Sequence, residues 1–175
     1  VVIGQASFGK SVVESLVNNG EEVVGLFCPP DRGEGSPVDP IKALAIEKGI
    51  PVIQFKRMRD QGAIENFKDL NADLAVMAFV TDIVPMEMLR APTKGTIQYH
   101  PSLLPKHRGP SSINWPIIQG ETKTGLTIFW PDDGLDTGPV LLQKETEIGP
   151  DDTLGTVYFD RLFPMGVEAI SEAVQ

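Results

Sequence analysis

Short apolar runs alternate with stretches of helical periodicity through the first hundred residues of the chain. The runs predict strands at residues 1–4, 22–28, 51–55, 73–80 and 95–100. Between them, apolar residues recur at the spacing of one helix face, which predicts helices at residues 7–19, 41–48, 60–70 and 85–90. Because the strands are apolar on both faces and alternate with helices, we predict a Rossmann-like α/β fold, a mostly parallel central sheet with helices on both faces.

The second part of the chain continues the pattern with longer strands. A helix is predicted at residues 111–119, two strands at 124–130 and 140–148, and a final helix that Thr153 can cap and that runs towards residue 175. No internal repeat, low-complexity tract or linker interrupts the 175 residues, so residues 1–175 are predicted to form a single domain. The first residues predict a strand that has lost its beginning rather than a signal peptide.

Composition narrows the classes of partner. A net charge of −9 is unlike that of proteins that grip many phosphates, so a nucleic acid is not the expected partner. The chain contains no run of about 18 apolar residues, so we predict no membrane span. We expect a cytoplasmic protein. The single cysteine, Cys28, excludes an intramolecular disulfide.

The chemistry is concentrated where the fifth predicted strand ends. Gln98 and His100 are two residues apart on this strand and therefore point to the same face. The strand ends at Pro101, which cannot donate a ladder hydrogen bond. A histidine can move a proton near neutral pH, and an amide can stabilise developing negative charge. Asp136, in a turn after the next strand, is the candidate partner of His100, although Asp-Thr-Gly is also ordinary turn chemistry.

One motif suggests a different class of protein. Residues 4–11, GQASFGKS, match the Walker A pattern of nucleotide-binding loops between a predicted strand and a predicted helix. An acidic magnesium ligand is expected after an apolar strand in such proteins, and Asp132 is a poor candidate because Pro131 intervenes. We therefore predict that the match is accidental and that Lys10 lies on the surface, with a P-loop nucleotide-binding protein as the alternative.

These motifs together resemble one enzyme family. HPSLLP at residues 100–105, the following Arg-Gly, LDTG at 135–138 and a glycine turn after the first strand are similar to the enzymes that use 10-formyltetrahydrofolate as a one-carbon donor. The resemblance covers nearly the whole chain. It looks closest to the hydrolase domain of the 10-formyltetrahydrofolate dehydrogenases, and the chain also resembles the methionyl-tRNA formyltransferases. It implies a formyltransferase-type catalytic domain over residues 1–175, a folate as formyl donor, and no metal.

The resemblance also implies roles for individual residues. His100 and Asp136 are expected to handle protons, with Asp136 orienting His100 and favouring its charged form. Gln98 is expected to donate its amide to the oxyanion of a tetrahedral intermediate. The residues expected to bind the folate, through backbone hydrogen bonds to the pterin and apolar walls, are Asp82, Ile83, Val84, Leu103 and Leu104.

The acceptor of the formyl group stays open at this point. The transferases carry Asn two residues before the histidine, and the dehydrogenase-type hydrolase domain carries an aliphatic residue there, whereas this chain has Gln98. Water or a small amine is the expected acceptor, and the partners are this molecule and the folate. Methionyl-tRNA is the alternative, which the acidic balance and the short, acidic loop at residues 30–40 disfavour. A further domain after residue 175 is left open.

Overall fold

A single seven-stranded sheet runs through the computed structural model, which describes all 175 residues. The strands are β1 (Val2–Gly4), β2 (Leu26–Cys28), β3 (Val52–Gln54), β4 (Ala75–Ala78), β5 (Thr96–His100), β6 (Lys123–Phe129) and β7 (Val140–Glu147). Their order is β3-β2-β1-β4-β5-β6-β7. β1 pairs in parallel with β2 and β4, and β2 with β3, whereas β6 runs antiparallel to both β5 and β7. The predicted mostly parallel sheet is confirmed.

Seven α-helices accompany the sheet. They are α1 (Ala6–Asn18), α2 (Pro40–Glu47), α3 (Gln61–Asp69), α4 (Met86–Leu89), α5 (Asn114–Ile118), α6 (Leu154–Val157) and α7 (Phe163–Val174). A π-helical segment, Tyr158–Leu162, joins α6 to α7, so the predicted final helix is present but is not uniformly α-helical. None of the helices combines the length and the apolar character that a bilayer crossing requires.

Two compact units divide the chain, Val1–Ile97 and Gln98–Gln175. In the first unit, Ile3 and Met77 belong to an apolar cluster that includes Phe67 of α3 and Met88 of α4. Their neighbours Gly4 and Ala78 must face the other side of the sheet, because strand side chains alternate.

On that other side, α1 lies directly against β1 and β4. A Cβ added to Gly9 of α1 would lie 3.5 Å from the Ala78 carbonyl oxygen of β4 and from the Gly4 carbonyl carbon of β1, and 2.8 Å from Ile41 Cδ1 of α2. One added to Gly4 would come within 2.4 Å of the Ala78 carbonyl oxygen. The two glycines therefore allow a close approach that a larger residue would prevent. Helices cover both faces of the sheet in this unit, as the apolar strands predict.

In the second unit, β6 is the buried strand and β7 the exposed edge. Residues 124–129 of β6 are all buried, whereas β7 alternates between exposed and half-buried positions. α7 packs against both strands, and its Ala169 and Ile170 are buried. The Tyr99 hydroxyl of β5 donates to the Leu162 carbonyl oxygen at 3.4 Å, where the π-helical segment ends.

Two predicted elements begin at least three residues later than expected. β2 begins at Leu26 instead of residue 22. Residues 21–25 form no strand, and Glu21 and Glu22 are exposed instead of buried in the sheet. α5 begins at Asn114 instead of residue 111, because Ser111 has a left-handed φ of 60° that a helix cannot include.

Candidate active site

β5 carries the first two candidate residues to the sheet's interior. Gln98 lies opposite Phe129 of β6, and His100 opposite Thr127. Both side chains point to the same face by the alternation of the strand. His100 is buried and Gln98 half-buried. The Gln98 amide has no hydrogen-bond partner in the protein. Because every fully buried polar side-chain atom does have such a partner, the Gln98 amide must be accessible to solvent, where it can bind a ligand.

His100 and Asp136 meet, as the sequence predicts. The distance from His100 Nδ1 to Asp136 Oδ2 is 3.5 Å, and each side chain is only 8% exposed. Asp136 has a left-handed φ of 53° in the turn after β6. Asp132 shapes that turn, because its Oδ1 accepts the Gly134 N–H at 2.9 Å and the Thr137 hydroxyl at 2.5 Å. These hydrogen bonds, that of the Thr137 hydroxyl first, lower the pKa of the Asp132 carboxyl.

The partners of His100 fix the position of its protons. Nε2 lies 2.9 Å from the His107 carbonyl oxygen, and a carbonyl can only accept a hydrogen bond, so Nε2 carries a proton. The neutral ring then directs an unprotonated Nδ1 at Asp136. A second proton between Nδ1 and Oδ2 converts this contact of two acceptors into an imidazolium–carboxylate pair.

The two oxygens of Asp136 have different surroundings. Oδ2 accepts the backbone N–H of Gly109 at 2.8 Å, besides facing His100. Oδ1 has no hydrogen-bond partner in the protein. Because every fully buried polar side-chain atom has a partner, Oδ1 must be accessible to solvent. Asp136 can therefore receive a proton at Oδ1 from a bound molecule while Oδ2 stays fixed by the protein.

A buried hydroxyl holds the loop that follows His100. Thr127 Oγ1 donates to the Ser102 carbonyl oxygen at 2.7 Å and accepts the Leu104 N–H at 3.1 Å. Gln143 Nε2 completes the network by donating to the Leu104 carbonyl oxygen at 2.7 Å. Leu104 is consequently buried with its backbone satisfied. Leu103 packs over Gly125, where an added Cβ would lie 2.6 Å from Leu103 Cδ2.

The other predicted folate-binding residues lie in the first unit, in the loop after β4. Asp82 accepts the Met58 N–H at 2.7 Å and the Ile83 N–H at 2.9 Å through its two carboxylate oxygens, which braces the loop. The Ile83 side chain is 85% exposed, and Val84 is buried in the apolar cluster. The Ile83 carbonyl and the Val84 N–H have no backbone partner, so backbone hydrogen bonds to a ligand are available here.

Residues 4–11 do not form a phosphate-binding loop. α1 begins at Ala6, two residues after β1, so Gly9 and Lys10 lie inside the helix instead of in a loop that wraps phosphates. Lys10 is half-exposed. No three His, Cys, Asp or Glu side chains converge as candidate metal ligands.

Several groups around the site have no signature in the sequence. The His107 carbonyl and the Gly109 N–H are backbone groups that any residue possesses, and only the left-handed φ values of 53° and 79° turn them towards His100 and Asp136. Glu121 also escaped prediction; its Oε1 lies 2.8 Å from His107 Nε2. In the basic run of Lys106, His107 and Arg108, the middle residue is thus paired with a carboxylate.

Known proteins resemble this chain over its whole length. The model of the family described as formyl transferase matches residues 1–174. A cytosolic 10-formyltetrahydrofolate dehydrogenase from Xenopus tropicalis is 48% identical over 99% of the chain, which covers 20% of that relative. A methionyl-tRNA formyltransferase from Alkaliphilus oremlandii is 38% identical over 99% of the chain and 57% of the relative.

A solved structure shares the fold. The crystal structure of glycinamide ribonucleotide transformylase 1 from Symbiobacterium toebii matches with a TM-score of 0.83 and 21% identity, over 99% of this chain and 84% of that one. At this identity the likeness concerns the fold alone. The chain spans about a fifth of the length of the dehydrogenase relatives.

Proposed function

Because the chain belongs to the formyl transferase family, we propose that it removes the formyl group of 10-formyltetrahydrofolate, with water or a small amine as the acceptor. The observation that carries the proposal is the contact of 3.5 Å between His100 Nδ1 and Asp136 Oδ2, beside an Asp136 Oδ1 that is free to bind a ligand. The 48% identity to a 10-formyltetrahydrofolate dehydrogenase supports the identity of the donor.

The reaction requires two proton transfers and the stabilisation of an oxyanion. The acceptor's oxygen or nitrogen attacks the formyl carbon and gives its proton to Asp136 Oδ1, and the carbonyl oxygen becomes an oxyanion. The Gln98 amide stabilises that oxyanion, and in the state with a second proton between Nδ1 and Asp136 Oδ2 the His100 ring adds a positive charge. The intermediate collapses when the bond to the folate nitrogen breaks, and this nitrogen leaves with the proton that Asp136 held. The products are tetrahydrofolate and either formate or a formylated amine.

The folate-binding residues form the second part of the proposal. Asp82, Ile83 and Val84 offer the backbone groups for the pterin, and Asp82 keeps their loop in place through its hydrogen bond to the Met58 N–H. Leu103 and Leu104 offer apolar side chains on a loop that Thr127 holds. Both loops are thus fixed by side-chain hydrogen bonds before a ligand arrives, which lowers the entropic cost of binding.

Methionyl-tRNA is the competing acceptor, favoured by the 38% identity to a methionyl-tRNA formyltransferase. A net charge of −9 argues against it, because binding a polyanion draws on excess positive charge. A cytoplasmic location is part of our proposal; the matching relatives include both cytosolic and mitochondrial dehydrogenases.

The test is incubation with 10-formyltetrahydrofolate while tetrahydrofolate, formate and formylated products are quantified separately. Formate without an added amine identifies water as the acceptor, and a formylated product identifies an amine or methionyl-tRNA. The control is His100→Ala, assayed at the same protein concentration. Folate binding without tetrahydrofolate release above this control would contradict the proposal and leave a non-catalytic folate-binding protein.

A further inference from the structure

A three-residue turn, His107 to Gly109, holds both members of the His100–Asp136 pair. We call it the 107–109 turn. The His107 carbonyl oxygen accepts the proton of His100 Nε2 at 2.9 Å, and the Gly109 N–H donates to Asp136 Oδ2 at 2.8 Å. One short piece of backbone therefore sets the orientation of the imidazole and that of the carboxylate together.

The turn adopts a conformation that its sequence does not favour unaided. His107 has a φ of 53°, a left-handed value that is unfavourable for a residue with a Cβ. Gly109 has a φ of 79°, which glycine tolerates. Such a conformation at His107 persists only where surrounding contacts impose it.

The His107 side chain itself makes a hydrogen bond of ion-pair type, with Glu121. Glu121 Oε1 lies 2.8 Å from His107 Nε2, and the two side chains are only 28% and 13% exposed. Glu121 is itself held, because its backbone N–H donates to the Pro116 carbonyl oxygen at 2.9 Å after α5. A chain of contacts thus runs from Glu121 through the His107 ring and backbone to His100 Nε2.

We propose that Glu121 and His107 are positioning residues for His100: their pair holds the His107 carbonyl where it keeps the proton on Nε2 and leaves Nδ1 directed at Asp136. The proposal gives neither side chain a direct part in the proton transfers. If the pair is broken, the 107–109 turn relaxes, Nε2 loses its acceptor, and the ring can rotate or exchange its tautomer. The kinetic part of this inference rests on the proposed formyl transfer, whereas the protonation of His100 does not.

The protonation is measured directly by ¹⁵N NMR of protein labelled at histidine. The chain has two histidines, so His100→Ala leaves only the signals of His107, and the wild-type signals missing from that variant belong to His100. In the wild type we expect a protonated Nε2 with a proton that exchanges slowly with water. In Glu121→Ala we expect that proton to exchange at least about tenfold faster, or the tautomers to mix, because its acceptor is no longer held.

The kinetic measurement separates positioning from folding. In Glu121→Ala we expect kcat to fall about tenfold or more, since a misplacement of about 1 Å can cost about 10²-fold, while folate affinity stays within about twofold. Glu121→Gln keeps an acceptor for His107 and should retain most of the activity. The matched control is Glu145→Ala, which removes the pair with Lys123 on an exposed surface, where both side chains are over 60% exposed.

Each outcome of these measurements either supports or overturns the inference. An unchanged His100 signal and unchanged kcat in Glu121→Ala overturn the inference. If Glu121→Ala does not fold, His107→Asn decides it, because Asn tolerates a left-handed φ but cannot reach Glu121 as histidine does; full activity with an unaltered Nε2 proton in that variant also overturns it. A changed Nε2 signal in a protein without any formyl turnover supports the inference and refutes only the proposed function.

Discussion

Asp39 binds the first backbone N–H of α1 with both of its carboxylate oxygens, which lie 3.0 and 3.1 Å from the Ala6 nitrogen. Its Oδ1 also accepts the Ile41 N–H at 3.0 Å and so caps α2. The amino end of a helix that follows a strand is the usual place for a phosphate in nucleotide-binding folds. In this chain the Asp39 carboxylate already occupies that place.

Replacing Lys10 by alanine should therefore leave activity and folate affinity nearly unchanged. Lys10 lies within α1 and cannot wrap a phosphate, and an added nucleotide would meet the charge of Asp39. Isothermal titration calorimetry with ATP and magnesium should detect no binding to the wild type. Measurable nucleotide binding, or a large loss of turnover in Lys10→Ala, would show that residues 4–11 have a role that their geometry does not suggest.

His100→Ala and Asp136→Asn should each abolish most of the turnover and leave the fold intact. A general acid or base contributes about 10²–10⁴-fold to a rate. Asn suits position 136 better than Ala, because it tolerates the left-handed backbone there and can still accept the Gly109 N–H. Single-turnover rates should fall by that range while circular dichroism stays unchanged. A rate near that of the wild type in either variant is incompatible with the roles proposed for the pair.

Part of this pair follows from strand physics and part from the resemblance to a family. Strand periodicity places Gln98 and His100 on one face. The resemblance of LDTG at residues 135–138 to the formyl-donor enzymes implies that Asp136, and not Asp132 or Asp133 in the same loop, is the partner of His100. The sequence does not predict the backbone conformation around the pair. The left-handed φ of His107 and of Ser111 depends on contacts made after folding, so the acceptor for His100 Nε2 and the late start of α5 have no local signal.

The same distinction applies to the fold. Alternation of buried strands and helices is encoded in local hydrophobicity, and the predicted α/β sheet is confirmed. The length of each strand is not encoded locally. β2 begins only at Leu26, although the apolar residues Val23 and Val24 precede it in the sequence. The π-helical segment at residues 158–162 is not predicted from the sequence either; the Tyr99 hydroxyl donates to the Leu162 carbonyl oxygen where this segment ends.

Cys28 should react slowly with thiol reagents in the native protein. Burial, and then the negative charge of Asp39, raise the pKa of its thiol to about 11, and the residue is 6% exposed. Since the thiolate is the reactive form, about one thiol in 10³ is available at pH 8, against roughly a quarter at an ordinary pKa of about 8.5. Modification by Ellman's reagent should accelerate as the pH rises towards 11 and become fast on unfolding in urea. Rapid native-state labelling at pH 7 would contradict the burial of this thiol.

Gln98 should matter for the chemical step more than for folate binding. Its amide has no partner in the protein and lies on the same strand face as His100, so it can donate to an oxyanion formed beside that ring. Such a donor acts mainly in the transition state, where its loss costs about 2.7–4 kcal/mol. We expect Gln98→Ile to lower kcat with little change in folate affinity and Gln98→Asn, which keeps the amide on a shorter side chain, to be tolerated better. Single-turnover kinetics beside equilibrium folate binding tests both variants. If Gln98→Ile turned over as fast as the wild type, the amide would not be an oxyanion donor, and hydrolysis by water would become the stronger assignment.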